Sequence, residues 1–161
     1  MATLNWGKGL LEYVLLENGA IPKDPKWKSI DTPKEDTLKL TATSGTEKVA
    51  TEEGGGVVDV RKGKASYQLE FDLFVKKDVP RPFEDIDGQV PGDYAFRYTP
   101  EDDSLEGFLI ERSMVNVEES YTTADGSLLH HVIRALKPAS GKTVKPYTKA
   151  AGNASGGTEN P

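Results

Sequence analysis

The chain has 161 residues, of which 36% are hydrophobic, and a formal net charge of −6 at pH 7. This length suits one domain with its own core, and the acidic balance argues against a broad DNA-binding surface, which needs clustered Lys and Arg. The lack of cysteine excludes disulfides and thiolate-bound zinc. We expect neither a membrane-spanning helix nor a signal peptide, because no apolar run is long enough and the N-terminus lacks a basic region.

The first predicted element is a strand over Leu10–Glu17, with a short helix as the alternative. The Asn18-Gly19 step that follows it is a strong turn signal. The segment 21–36 then contains three prolines, which are incompatible with regular structure. We interpret this segment as an extended arm that is anchored by Trp27 and Ile30.

Alternating apolar residues predict a strand over Thr37–Gly45 and a long strand over Ala65–Lys76. Between them, residues 45–64 have mixed charge, consecutive glycines at Gly54–Gly56 and a valine-rich run over Val57–Val60. Glycine loses more conformational freedom than any other residue when it is ordered. We therefore predict a long, mobile hairpin here. It is either a disordered surface loop or an interface arm that orders on contact with another molecule.

The second half of the chain continues the β pattern. A loop-rich stretch contains the one helical candidate, over Phe83–Ile86, and a strand over Tyr94–Tyr98 directs its three aromatic residues to one face, which we expect to be the core. Further strands are predicted over Gly107–Arg112, Met114–Tyr121 and Leu128–Leu136. The last two are joined by a hairpin turn at Asp125-Gly126.

Beyond Pro138 the residues become small and polar. Such a composition buries too little apolar surface to offset the entropy lost on ordering. We predict a C-terminal extension over 139–161 that is flexible from about Lys145 onward unless neighbouring chains hold it. The remainder, 1–138, is predicted to be an all-β sandwich or barrel with at most one short helix.

Residues that carry catalytic or metal chemistry are sparse. His130 and His131 are the only histidines, and neighbours on a strand point to opposite faces, so they cannot bind one ion together. We expect one to be half-buried and the other exposed. Asp85 and Asp87 precede a glycine, but the ligand series of a calcium loop is missing. No nucleophile motif is present, and we predict no enzyme, no cofactor and no metal site.

The long strand over Ala65–Lys76 has one apolar face, from Tyr67 to Val75, and one polar face. The polar face consists of Gln68, Glu70 and Asp72. One interpretation is a sheet face that contacts only solvent. The other is a surface past which an acidic molecule must move without binding, since carboxylates repel phosphates within about 8 Å at physiological salt.

The order and character of the segments carry a resemblance. They run GKGLLEYVLLENG, WKSIDTPKEDTLKL, TEEGGGVVDV, YQLEFDLFV, YAFRYTPEDD and FLIERSMVNVEESYTTADGSLLHHVIRALKP. Over roughly residues 4–138 this order resembles the major tail tube proteins of tailed bacteriophages and their prophage relatives. That family implies a β-sandwich or barrel with a small helix on its flank. It also implies hexameric rings that stack into a hollow tube through which the genome passes.

The resemblance implies roles for particular residues. Gln68, Glu70 and Asp72 would line the lumen, and the arm and the 45–64 hairpin would contact other subunits through Trp27, Ile30, Val57, Val58 and Val60. Partners would be further copies of the chain and other tail proteins, such as tape-measure, terminator and baseplate proteins. DNA would pass without specific binding and no membrane would be involved. The protein would be part of the virion tail, assembled in the bacterial cytoplasm.

Two alternatives stay open. The first is a monomeric β-sandwich that binds a ligand or mediates adhesion, with Tyr94, Phe96 and Tyr98 as the nearest aromatic platform. The second is a related ring protein of the tail, a terminator or a baseplate hub.

Overall fold

A computed structural model describes residues 3–149. Within that range the chain forms ten strands and no helical element. The strands are β1 (Leu10–Leu15), β2 (Lys28–Ser29), β3 (Lys39–Thr43), β4 (Glu47–Thr51), β5 (Val57–Lys62), β6 (Ser66–Phe74), β7 (Tyr94–Thr99), β8 (Gly107–Thr122), β9 (Gly126–Ala135) and β10 (Val144–Tyr147). The predicted all-β class is confirmed. No helix of the described part is long and apolar enough to cross a membrane.

Eight of the strands form one antiparallel sheet in the order β2-β1-β7-β8-β9-β6-β3, with β10 beside the first part of β8. β4 and β5 pair only with each other, as a separate hairpin. The sheet curls over, because residues of its β3 edge lie beside residues of β7 and β8, which are four and three strands away in this order. Leu40 and Leu69 on β3 and β6 line the same groove as Tyr98 and Phe108 on β7 and β8.

The longest strand is β8, whose 16 residues were predicted as two separate strands. It is continuous because its two halves have different partners: the first half pairs with β7 and β10, and the second half pairs with β9. The register of β7 against β8 shifts between Tyr94 and Phe96. There the fully buried Ser113 donates its hydroxyl to the Tyr94 carbonyl at 2.7 Å, which satisfies both polar groups.

The main core is formed by alternate residues of the sheet. Leu69, Phe71 and Leu73 of β6 are 0%, 0% and 3% exposed, as the alternation predicts. Phe96 of β7 is also fully buried, and Tyr94 and Tyr98 pack against the same cluster. The aromatic residues of β7 therefore belong to the core, and they do not form an exposed platform.

A second, smaller apolar cluster lies on the opposite face of β1 and β7. Val14, Leu16 and Ala95 are buried there, and Ile21 and Trp27 of the proline-rich arm pack over them. The arm thus covers a part of its own sheet, in an extended conformation that its prolines favour.

Two sequence expectations are corrected. Residues Phe83–Ile86 form no helix; Ile86 and Gln89 instead close a tight turn in which Asp87 and Gly88 have positive φ angles of 51° and 90°, a conformation that a helix cannot contain. The predicted flexible extension contains strand β10, which pairs with β8 and is held by an ion pair of 2.7 Å between Lys145 and Glu111. The rest of that extension, 150–161, lies outside the described residues.

Candidate functional site

The face of β3, β6, β9 and β8 that points away from the core carries the three predicted lumen residues, Gln68, Glu70 and Asp72. We call it the polar face. Register places Glu70 opposite Lys39 of β3, Gln68 opposite Arg134 of β9, and His130 between Asp72 and Glu118. Directly opposite residues of paired strands share a face. The charged and imidazole side chains of the polar face, together with the carboxamide of β6, are therefore those of Lys39, Gln68, Glu70, Asp72, Glu118, His130 and Arg134. By the same register the face also carries Thr41, Phe74, Met114, Asn116, Leu128 and Val132.

His130 is the centre of the polar face. Its Nδ1 lies 2.5 Å from a carboxylate oxygen of Asp72, and its Nε2 lies 3.2 Å from a carboxylate oxygen of Glu70. Its side chain is 32% exposed. Burial acts to lower the pKa of His130, but the hydrogen bond that its ring donates to Asp72 and the charges of Asp72, Glu118 and Glu70 outweigh it and raise that pKa. An imidazolium that donates from both nitrogens fits this geometry.

This arrangement changes the charge expected for the polar face. Lys39 lies opposite Glu70, and His130 lies between Asp72 and Glu118, while Arg134 lies opposite Gln68 and Met114 on the same face. The face is thus mixed in charge, with acids and bases interleaved. Alternation along β6 showed only the acidic part, because the bases come from neighbouring strands whose register the sequence does not reveal.

The β4–β5 hairpin is the most exposed element. Every residue of both strands is exposed, including Val57, Val58 and Val60, which are 61%, 64% and 43% exposed. Val49 is 48% exposed and lies opposite Val60 in the register, so it extends the same apolar face. Val49 was not among the residues predicted from the sequence. The only indication that the sequence offers is that Val49 alternates with Glu47 and Thr51 along β4.

Trp27 and Ile30, the two predicted contacts of the arm, lie against their own chain. Ile30 is 6% exposed within the main core, and its N–H donates to the Leu11 carbonyl at 2.9 Å. The Trp27 ring lies 4.3 Å from the guanidinium carbon of Arg97, and Tyr147 of β10 lies 5.6 Å from the same carbon. Ile30 therefore has little surface left for contact with another subunit.

His131, the neighbour of His130, faces the main core. It is fully buried, stacks on Phe71 at 4.6 Å between ring centroids, and places its Nδ1 3.1 Å from the Leu129 carbonyl. Burial lowers the pKa of His131 to about 4. The prediction that the two histidines point to opposite faces is confirmed, although the pair is more buried than expected.

No group of three or more His, Asp and Glu side chains in the range 3–149 has the geometry of a metal site. His130 and His131 contact carboxylates and a backbone carbonyl, and the Ser104 hydroxyl donates to Asp102 at 2.7 Å on the exposed surface. The chain offers a mixed polar sheet face and an exposed apolar hairpin. Exposed apolar surface of this kind suits contact with other molecules.

No protein-family model and no curated protein matches this chain. The resemblance to tail tube proteins therefore stays a prediction.

Proposed function

We propose that this chain is a structural subunit that self-assembles into closed rings stacked as a hollow tube, in the manner of phage tail tubes. In this proposal the polar face lines the lumen through which the genome passes, and the protein is part of the virion tail. The rings are hexameric, and their partners are further copies of the chain and other tail proteins.

The observation that carries the proposal is the β4–β5 hairpin. A two-stranded hairpin that packs on nothing is at best marginally stable in water, and this one exposes a row of valines on both strands. Apolar surface of this kind marks a contact with another macromolecule. A hairpin that extends from the sheet is well placed to reach a neighbouring copy.

An open sheet edge also supports the proposal. β3 is the last strand of the sheet, and within residues 3–149 no strand pairs with its outer edge. Native proteins rarely leave such an edge uncovered. A ring of identical subunits is a closing, head-to-tail assembly that could pair this edge on every copy at once.

The mixed charge of the polar face suits a wall that DNA passes. Carboxylates alone would repel phosphate, and bases alone would bind it. In this face Lys39 and Arg134 lie directly opposite Glu70 and Gln68, and His130 lies between Asp72 and Glu70. Each base therefore has an internal partner or a polar neighbour, which reduces its attraction for DNA.

The test is self-assembly of the purified chain at rising concentration. We expect light scattering to show ring-sized or longer particles, and negative-stain electron microscopy to show annular or tubular objects. A chain that stays monomeric at high concentration while its circular dichroism spectrum remains that of a folded β protein would contradict the proposal.

A matched pair of variants assigns the contact. Val58→Thr with Val60→Thr preserves β-branched residues and hence strand propensity, but it removes apolar surface. Full burial of a valine stabilises by about 1.5–3 kcal/mol, and these two are about half exposed, so we expect assembly to weaken by about 30-fold. Val75→Thr is the control, because Val75 is 41% exposed at the end of β6, outside the hairpin. Equal effects of both variants would remove the hairpin from the contact.

A further inference from the structure

His131 is a titratable side chain enclosed by the core, and one of its nitrogens is unsatisfied. Its Nδ1–H donates to the Leu129 carbonyl, while its Nε2 is buried with no hydrogen-bond partner among the described residues. The neutral ring tolerates this, since Nε2 is then a bare acceptor in contact with apolar groups. Protonation would place an N–H and a positive charge there with no acceptor, which is costly in a core.

Two aromatic rings pack against His131, and they belong to elements of different stability. Phe71 lies on β6, which is paired along its length with β3 and β9. Phe83 is 3% exposed, and its ring centroid lies 5.7 Å from that of His131, but it belongs to the irregular segment 79–90. Moving β6 away from His131 would break its hydrogen bonds to both β3 and β9. Water therefore reaches the His131 ring at a lower free-energy cost when the segment 79–90 moves away.

The segment 79–90 is held by few bonds. Two backbone hydrogen bonds join it to the edge of β8, and one side-chain bond and one ion pair hold its start. These are Val90 N to Val115 O at 3.3 Å, Val117 N to Gly88 O at 2.9 Å, the Tyr13 hydroxyl to Pro82 O at 3.1 Å, and Arg81 to Glu119 at 3.1 Å. A groove of about 670 Å³ already runs beside residues 79–82. The segment also buries Phe83, whose ring centroid lies 4.8 Å, 5.0 Å and 6.0 Å from those of Tyr13, Tyr94 and Phe96. Its backbone is nevertheless bonded to the sheet at only a few points, and such segments open before paired strands do.

We propose that residues 79–90 form an acid-released cover: protonation of His131 opens this segment and admits water to the ring, while the sheet stays paired. Opening would expose Phe83 and Val90, and it would free the edge of β8 at Val115 and Val117. This opening is a property of the single folded chain and does not depend on assembly into rings.

The charged groups around His131 do not prevent this. His130 on the same strand opposes a second positive charge, while Asp72 on β6 and Asp85 in the segment favour it, but none of them hydrogen bonds to the ring. Asp72 is engaged by His130, and Asp85 accepts a bond from the Gly88 N–H at 2.9 Å. The ring is therefore held neutral in the closed form, and protonation stabilises the open form.

The size of the response follows from linkage. Burial lowers the pKa of His131 from 6.5 to about 4, and a ring released to water regains the ordinary value. The equilibrium between closed and open segment should then shift toward the open form by about 20-fold when the pH falls from 7 to 5.

The experiment is hydrogen exchange followed by mass spectrometry on the full chain at pH 7 and pH 5, with protection factors that remove the intrinsic pH dependence of exchange. We expect peptides covering 79–90 to lose about 20-fold in protection, while peptides of β6 and β9 keep theirs. His131→Leu should abolish the loss. Tyr13→Phe removes the bond to Pro82, so it should increase opening at both pH values and leave their ratio unchanged. His130→Gln should preserve the response.

The proposal is overturned if protection over 79–90 is equal at the two pH values, or if β6 and β9 lose protection to the same extent as the segment. Persistence of the response in His131→Leu would also overturn it. If His131→Leu does not fold, the wild type and Tyr13→Phe still test the proposal. Both should lose protection at pH 5 over 79–90 alone, since opening of the whole sheet would also lower the protection of β6 and β9.

Discussion

Arg97 joins three segments that are distant in the chain, and its removal is the sharpest test of how the arm is held. Its Nε lies 2.8 Å from a carboxylate oxygen of Glu12 on β1, and its guanidinium lies over the rings of Trp27 in the arm and Tyr147 in β10. The Arg97 and Glu12 side chains are only 26% and 16% exposed. Both charges are thus partly removed from water, which makes their contacts stronger than those of a surface pair.

We expect Arg97→Ala to lower the free energy of unfolding by about 3 kcal/mol. A hydrogen bond to a charged group contributes about 1.5–3 kcal/mol, and each cation–π contact of a partly desolvated arginine adds about 0.5–2 kcal/mol. Glu12 would also be left without its partner in a half-buried site. The measurement is urea denaturation followed by circular dichroism and by tryptophan fluorescence.

Arg112→Ala is the matched control. Arg112 also bonds a carboxylate through Nε, that of Asp93 at 3.0 Å, but its side chain is 43% exposed, so its loss should cost less than about 1 kcal/mol. A double-mutant cycle of Arg97→Ala with Trp27→Leu should give a coupling of about 1 kcal/mol. Equal costs for the two arginines, or no coupling, would refute the reasoning and would free Trp27 for contact with another subunit.

The remaining predictions concern close packing and charge. Gly107→Ala should destabilise by about 1–3 kcal/mol, because a Cβ at Gly107 would overlap the backbone carbonyl of Tyr98; thermal unfolding with no change would contradict this. Ile133→Ala should cost about 2–5 kcal/mol, since Ile133 is fully buried, and a smaller loss in urea titration would show that the core collapses into the cavity. His130→Gln should matter most below pH 6.5, because the pKa of His130 is raised on folding, so its stabilising contribution is lost as pH rises through the folded value. A stability difference between wild type and variant that grows toward pH 9 would contradict that sign.

Much of the local structure could be predicted from the residues alone. Alternation along β6 placed Leu69, Phe71 and Leu73 inward, and the Asp125-Gly126 turn placed the β8–β9 hairpin, with Gly126 at a φ of 71°. These features are local, since the direction of a side chain depends on strand parity and a tight turn depends on the few residues within it. The extended arm with its prolines follows from the same kind of short-range constraint.

The parts that sequence reasoning missed depend on which strands become neighbours. Nothing near His130 in the chain indicates that Asp72 and Glu70, about sixty positions earlier, will hold both of its ring nitrogens. Likewise, β10 forms although its composition is typical of flexible chain. It is held because Tyr147 packs against the guanidinium of Arg97 and Lys145 forms an ion pair with Glu111, both on other strands.

The amino-acid pattern alone was enough to predict the all-β class, the inward residues of β6 and β7, and a long hairpin over 45–64. The mixed charge of the polar face, the continuity of β8 and the unsatisfied nitrogen of His131 became visible only in the folded chain. The physical reason is that strand pairing is chosen by the whole chain through burial, and a shift of one residue in register would exchange every contact across the sheet.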